Sequence, residues 1–168
     1  MAVKEERIPE HPTDEEEMKK AFLESFHAGN RSIEDTIRLY YKEQTGENFI
    51  AVLEAIRMQM HADGHFLIPV IANPTGDEFT FCTLKGIDDK PMMVAFTSQE
   101  EFEKGEKVQV ISHFVDVLLK AVIDNNENGF IINPWGQSFM LTRELIELIF
   151  NEDEKQKGKA CSHLQTDF

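Results

Sequence analysis

At Gly64 the hydrophobic period of the chain changes, and that change constrains the fold more than any other feature. Before it, Phe49, Val52, Leu53, Ile56 and Met60 recur at helical spacing from about Asn48. After it, HFLIPVIA (residues 65–72) is a nearly continuous apolar run, as in a strand buried on both faces. EFTFCTL (78–84) then alternates, with Phe79, Phe81 and Thr83 on one side and Thr80, Cys82 and Leu84 on the other. A turn at Asp88-Asp89 leads to a third extended run, PMMVAFTS (91–98). Such a chain has to pack helices against a sheet.

The flanking segments extend this pattern. Ser98-Gln-Glu-Glu101 is a capping box that opens a short helix holding Phe102 and ending at Gly105. KVQVIS (107–112) reads as a strand and HFVDVLLKAVID (113–124) as a helix, with Phe114, Val117, Leu118, Ala121 and Val122 at helical spacing. GFIINP (129–134) and SFML (138–141) are two further strands, and Thr142 caps a last helix through Leu145, Ile146, Leu148 and Ile149. Upstream, Thr13-Asp-Glu-Glu16 opens a helix ending at Gly29, and Ser32-Ile-Glu-Asp35 opens another that carries Ile33, Ile37 and Tyr40-Tyr41 toward Gly46. The expected class is α+β, a mixed sheet of about five or six strands packed with helices and preceded by N-terminal helices. From Asn151 onward no apolar period remains, so residues 151–168 are expected to form a flexible tail, and deleting residues 152–168 is expected to cost under about 1 kcal/mol.

Charge limits the partners. The chain holds 31 acidic and 17 basic residues, a formal net charge of −14. Residues 47–150 alone carry 16 acidic and 7 basic side chains, so the excess belongs to the body of the chain. That field disfavours nucleic acid and anionic membrane and favours a protein partner with a basic surface. The two cysteines, Cys82 in an apolar run and Cys161 in a polar one, make no disulfide framework. With no apolar stretch of membrane length and no hydrophobic region at the N-terminus, a soluble cytoplasmic protein is expected.

Two segments stand out for chemistry. GFIINPWGQSFML (129–141) contains the only tryptophan. Asn133-Pro134 ends a strand, since proline lacks a ladder donor and biases its predecessor toward extended geometry. Trp135 then either folds onto the core or stands exposed as an interface anchor, with Asn133, Pro134 and Gln137 beside it as candidate contact residues. The loop holds no histidine, cysteine or carboxylate, which argues against catalysis from it. The second segment is His61-Ala-Asp63-Gly-His65, two imidazoles and a carboxylate suited to zinc or a related ion. Gly64 separates the histidines, so a polar helix end is the simpler reading and a small metal-dependent hydrolase or ligand-binding protein the alternative. No nucleophile elbow, phosphate-binding loop or dinucleotide fingerprint occurs, so no cofactor is expected.

The order of segments resembles the N-terminal domain of the enhanced serine sensitivity (SseB) protein family over roughly residues 47–150. The resemblance rests on Ile68-Pro69-Val70, then on Phe96, Thr97, Ser98, Glu100 and Glu101 at the end of a strand. It continues in Gly129, Ile131, Ile132, Asn133 and Pro134, followed by a short apolar strand and a helix. It implies a compact, non-catalytic domain that acts through other proteins, and it brings no catalytic residues. Residues 1–46 then form an N-terminal helical extension, which packs back through its Phe-rich faces or presents them to a partner or to a second copy in a homodimer.

Overall fold

The computed structural model describes the backbone of residues 30–166 and the side chains of residues 30–158. The helix read over residues 13–29 and the side chain of Cys161 lie outside that range. Helix α1 occupies residues 30–42, and α2 spans Gly46–His61. Strands β1 (His65–Ala72), β2 (Phe79–Phe81), β3 (Thr83–Lys85) and β4 (Pro91–Ala95) follow. Then come α3 (Gln99–Phe102), β5 (Gln109–Phe114), α4 (Val115–Asp124), β6 (Gly129–Ile132), β7 (Phe139–Thr142) and α5 (Arg143–Thr166).

The fold is α+β, as the hydrophobic pattern implies. One sheet has the order β2-β1-β5 and the other β3-β4-β6-β7. A single antiparallel bridge between Leu67 and Phe96 joins them. All pairs are antiparallel except β4 with β6, where Ala95 stands beside Ile132. The run 78–84, expected as one strand, is instead two short strands that turn a corner at Cys82. Its first half pairs with β1 and its second with β4. At the corner the Cys82 amide donates to the Pro69 carbonyl of β1 at 3.2 Å.

Alternation sends consecutive residues to opposite faces. Met93 and Ala95 join Phe66, Ile68, Val70, Phe130, Ile132 and Leu141 in the main core. Val94 and Phe96 belong to a second cluster with Phe102, against which Leu67, Leu84 and Val110 pack. Helices α2, α4 and α5 cover the main core and contact one another. Ile33 and Ile37 of α1 are also part of it, so the boundary at residue 47 cuts through one core. The second face has far less cover among the described residues, where one turn of helix, α3, and the Trp135 loop lie over it.

Caps fix several ends where the sequence placed them. Ser98 Oγ accepts from the Glu101 amide at 3.2 Å, and Thr142 Oγ1 from the Leu145 amide at 3.3 Å. Two starts differ. The helix expected to open at Ser32 already includes Asn30. Gly46, expected as a stop, opens α2 because Thr45 Oγ1 accepts from the Asn48 amide at 3.1 Å.

The tail departs most from expectation. Helix α5 continues through Thr166, and Asp153 is 6% exposed. Asp153 accepts from Arg57 Nη1 at 3.0 Å and pairs with His61 Nε2, so it clasps α5 to the end of α2. Arg57 is itself buried and grips Glu54 with two nitrogens, at 2.6 and 3.0 Å. Burial works against ionisation of Asp153, but the His61 and Arg57 hydrogen bonds outweigh it and hold the carboxyl below its usual range. A pattern search for apolar residues misses this anchor because it is ionic. Truncation from residue 152 would remove it, so the small cost expected for deleting the tail does not follow from the structure.

Candidate functional site

Where β4 and β6 end side by side, a polar network fixes the backbone. Asn133 is 3% exposed and has a positive φ of 54°, a left-handed conformation that asparagine tolerates better than most residues. Its side-chain Oδ1 accepts from the Thr97 amide at 3.0 Å, and its Nδ2 donates to Thr97 Oγ1 at 2.9 Å. Thr97 Oγ1 donates onward to the Glu34 carboxylate. From α1, Asn30 Nδ2 donates to the carbonyls of Thr97 at 3.0 Å and His65 at 2.7 Å. Asn133 therefore braces the backbone from inside and aims the chain that follows.

That chain is the Pro134–Gln137 turn, closed by the Gly136 amide donating to the Asn133 carbonyl at 3.1 Å. Trp135 is 48% exposed, half on the core and half in solvent. Its indole lies on Gly105, where a Cβ would stand 2.2 Å from Nε1. No other residue type lets the ring approach so closely. Next to it, a Cβ on Gly136 would stand 2.6 Å from Glu101 Oε1 and 3.0 Å from Lys104 Nζ. Two successive residues of the turn thus back onto successive parts of α3 and its exit.

The turn divides two cavities. On the Trp135 side is an apolar groove of about 530 Å³, walled by Pro69, Leu84, Val94, Phe96, Phe102 and Trp135. This is the thinly covered second face of the sheet. Cys82 also borders it, at the corner of the kinked strand, and burial pushes its thiol pKa up. That favours the thiol over the nucleophilic thiolate, in keeping with a small packing residue. On the other side is a polar pocket of about 190 Å³, bordered by Glu34, Arg38, Glu101, Lys104, Asn133 and Gln137. Of the four candidate contact residues, Trp135 borders the groove, Gln137 and the buried Asn133 border the polar pocket, and Pro134 is half-buried.

Sequence reading missed α3 as part of the site. Glu100-Glu101 read as a solvated face and cap, yet Glu101 is mostly covered and only its neighbour is exposed. Glu101 Oε2 receives Lys104 Nζ at 2.8 Å, while Oε1 is buried with no hydrogen-bond partner among the described residues. The signal available was small: a glycine at 105 one turn past Phe102, with no helix to continue.

The histidine segment is drawn apart. His61 turns to Asp153, and His65 Nδ1 lies 2.9 Å from Ser112 Oγ with its ring 4.2 Å from that of Phe114. Burial and the neighbouring His113 lower the His65 pKa. Asp63 sits between them with a positive φ of 55°, where the chain leaves α2. Among the described residues no group of three or more histidine, cysteine or acidic side chains is placed to hold a metal ion.

Comparison with known proteins brings one positive finding. A family model described as the SseB protein N-terminal domain matches residues 34–148. It begins inside α1 and ends inside α5, which agrees with the inclusion of Ile37 in the core. No curated protein and no solved structure matches the chain.

Proposed function

Because the chain belongs to the family of the SseB protein N-terminal domain, we propose that it is a non-catalytic interaction or regulatory module acting on a protein partner. The observation that carries this reading is the apolar groove edged by Trp135. A half-exposed tryptophan beside an open hydrophobic cavity is the usual make-up of an interface anchor, because its large rigid ring loses little conformational freedom on binding. The partner carries a basic surface, complementary to the net charge of −14. Among the described residues no helix is long and apolar enough to cross a membrane. The proposed setting is the cytoplasm.

The test is crosslinking in the native cell, identification of the partner by mass spectrometry, and reconstitution from purified components. Trp135→Ala should weaken the reconstituted complex by about 2 kcal/mol, as at a hot spot, while the variant stays folded. Association should slow as salt rises, with dissociation changing little. A complex that forms equally well with Trp135→Ala would sink the proposal, as would a catalytic turnover assigned to the purified protein.

A further inference from the structure

The apolar groove and the polar pocket share one dividing wall, and that wall is a single turn. Trp135 borders the groove, Asn133 and Gln137 border the pocket, and Gly136 between them lies against Glu101 and Lys104. Trp135 and Gln137 are two residues apart, so their Cα atoms stand at most about 7 Å from each other, and a segment of about three extended residues can reach from one cavity to the other. The pocket's own cations are already engaged: Lys104 Nζ with Glu101 Oε2 at 2.8 Å, and Arg38 Nη1 with Asp35 Oδ1 at 2.6 Å. What remains on offer is acceptor capacity. Glu101 Oε1 is desolvated and lacks a donor among the described residues, and the Glu34 carboxylate stands across the same pocket. A buried carboxylate oxygen with no donor is costly, and a cation with fixed N–H directions would remove that cost. Outside the pocket Glu100 and Glu103 line the adjoining surface, and Glu106 borders the groove, so the approach is acidic on both sides.

We infer that the partner docks through a segment carrying a large apolar side chain and, within about three residues of it, an arginine or lysine. The apolar side chain fills the groove beside Trp135, and the cation enters the polar pocket to donate to Glu101 and Glu34. Arginine suits the pocket better than lysine, since its planar fork can serve two carboxylates in fixed geometry. The inference rests on the interaction-module reading and narrows it to a two-part recognition element.

The chain supplies its own reporter, because Trp135 is the only tryptophan. A random 12-residue peptide display library is selected on the immobilised full-length protein, and winning peptides are synthesised and titrated. Expected winners pair an apolar residue with arginine or lysine at the stated spacing and shift Trp135 emission to shorter wavelength. Glu101→Gln should weaken them about tenfold, and so should replacing the peptide's cation by glutamine, while the two changes together cost little more than either alone. Gly105→Ala, which displaces the indole without removing it, should weaken them as well. A thermal melt of each variant establishes that it is folded. Peptides that shift Trp135 emission but lack a cation, or that ignore Glu101→Gln, overturn the two-part inference and leave the module reading standing. If no peptide is selected, or if winners leave Trp135 emission unchanged, the module reading falls with it. A change in Trp135 emission on removing residues 1–29, with no peptide present, would assign the groove to the chain's own N-terminal stretch and overturn the inference.

Discussion

The two faces of the sheet are built from alternate residues of the same strands, yet they end in different states. On one face Phe66, Ile68, Ala95, Phe130 and Ile132 are sealed beneath helices α1, α2, α4 and α5. On the other, Val94 and Phe96 meet only Phe102 and partly buried neighbours, and a groove remains open beside Trp135. Strand alternation makes both faces apolar; the connections decide which is covered. The βα segments return to one side, and among the described residues the only helix on the other is the four residues of α3. A face made apolar by its strands but left uncovered by its helices is the natural place for something else to bind.

The comparison can be broken most directly by truncating one large side chain on each face. Phe130→Ala, at a fully buried position of the sealed face, should cost about 3–5 kcal/mol in denaturant unfolding. An effect below about 1 kcal/mol would mean that the helical layer is not the main source of stability. Asp153→Ala should cost about 3 kcal/mol, because it leaves Arg57 buried without one of its carboxylates and opens the clasp between α2 and α5. A null result would return the last part of α5 to the role of a loose tail.

Trp135→Ala should cost less, about 1–2 kcal/mol, since only half of the side chain is buried. If its cost equalled that of Phe130→Ala, the two faces would be energetically equivalent and Trp135 a core residue. Ser98→Ala, which removes the cap of α3 on the open face, should cost about 1 kcal/mol and disturb the groove more than the fold.

The smallest effect is a dependence on acid. The Asp153 carboxyl is held below its ordinary value, so its contribution is complete above about pH 4, where an unfolded aspartate is ionised. It is lost as pH falls through the folded-state value. Glu54, also lowered by its hydrogen bond with Arg57, acts in the same direction. Asp153→Asn should therefore show a shallower loss of melting temperature than the parent chain as pH falls below about 4. Parallel curves would show that the clasp does not sense protonation.

Much of the sheet was legible in the residues. Strand β1 has the limits of its apolar run, and Ser98 and Thr142 cap the helices that their spacing implied. The split of residues 79–85 was not legible, because an alternating pattern records which way side chains point and not which strand lies alongside. Asp153 was missed for a related reason: in a segment of charged residues, the one that is buried is identified only by Arg57 and His61, 96 and 92 positions away. Asn133 read as a loop residue on a surface, since nothing local announces that Thr97 will stand beside it.

By itself, the sequence determined the α+β class, the family resemblance and the special character of the Trp135 loop. Those depend on periodicity, capping and residue type, which act within a few positions along the chain. Only the tertiary structure decided that Trp135 stays half outside, that Glu101 is drawn inward beneath Gly136, and that the histidines at 61 and 65 face different partners. These follow from how β4 and β6 are set side by side and how α3 and its exit lie against the Trp135–Gly136 turn, and contacts between distant segments exist only once the chain has closed on itself.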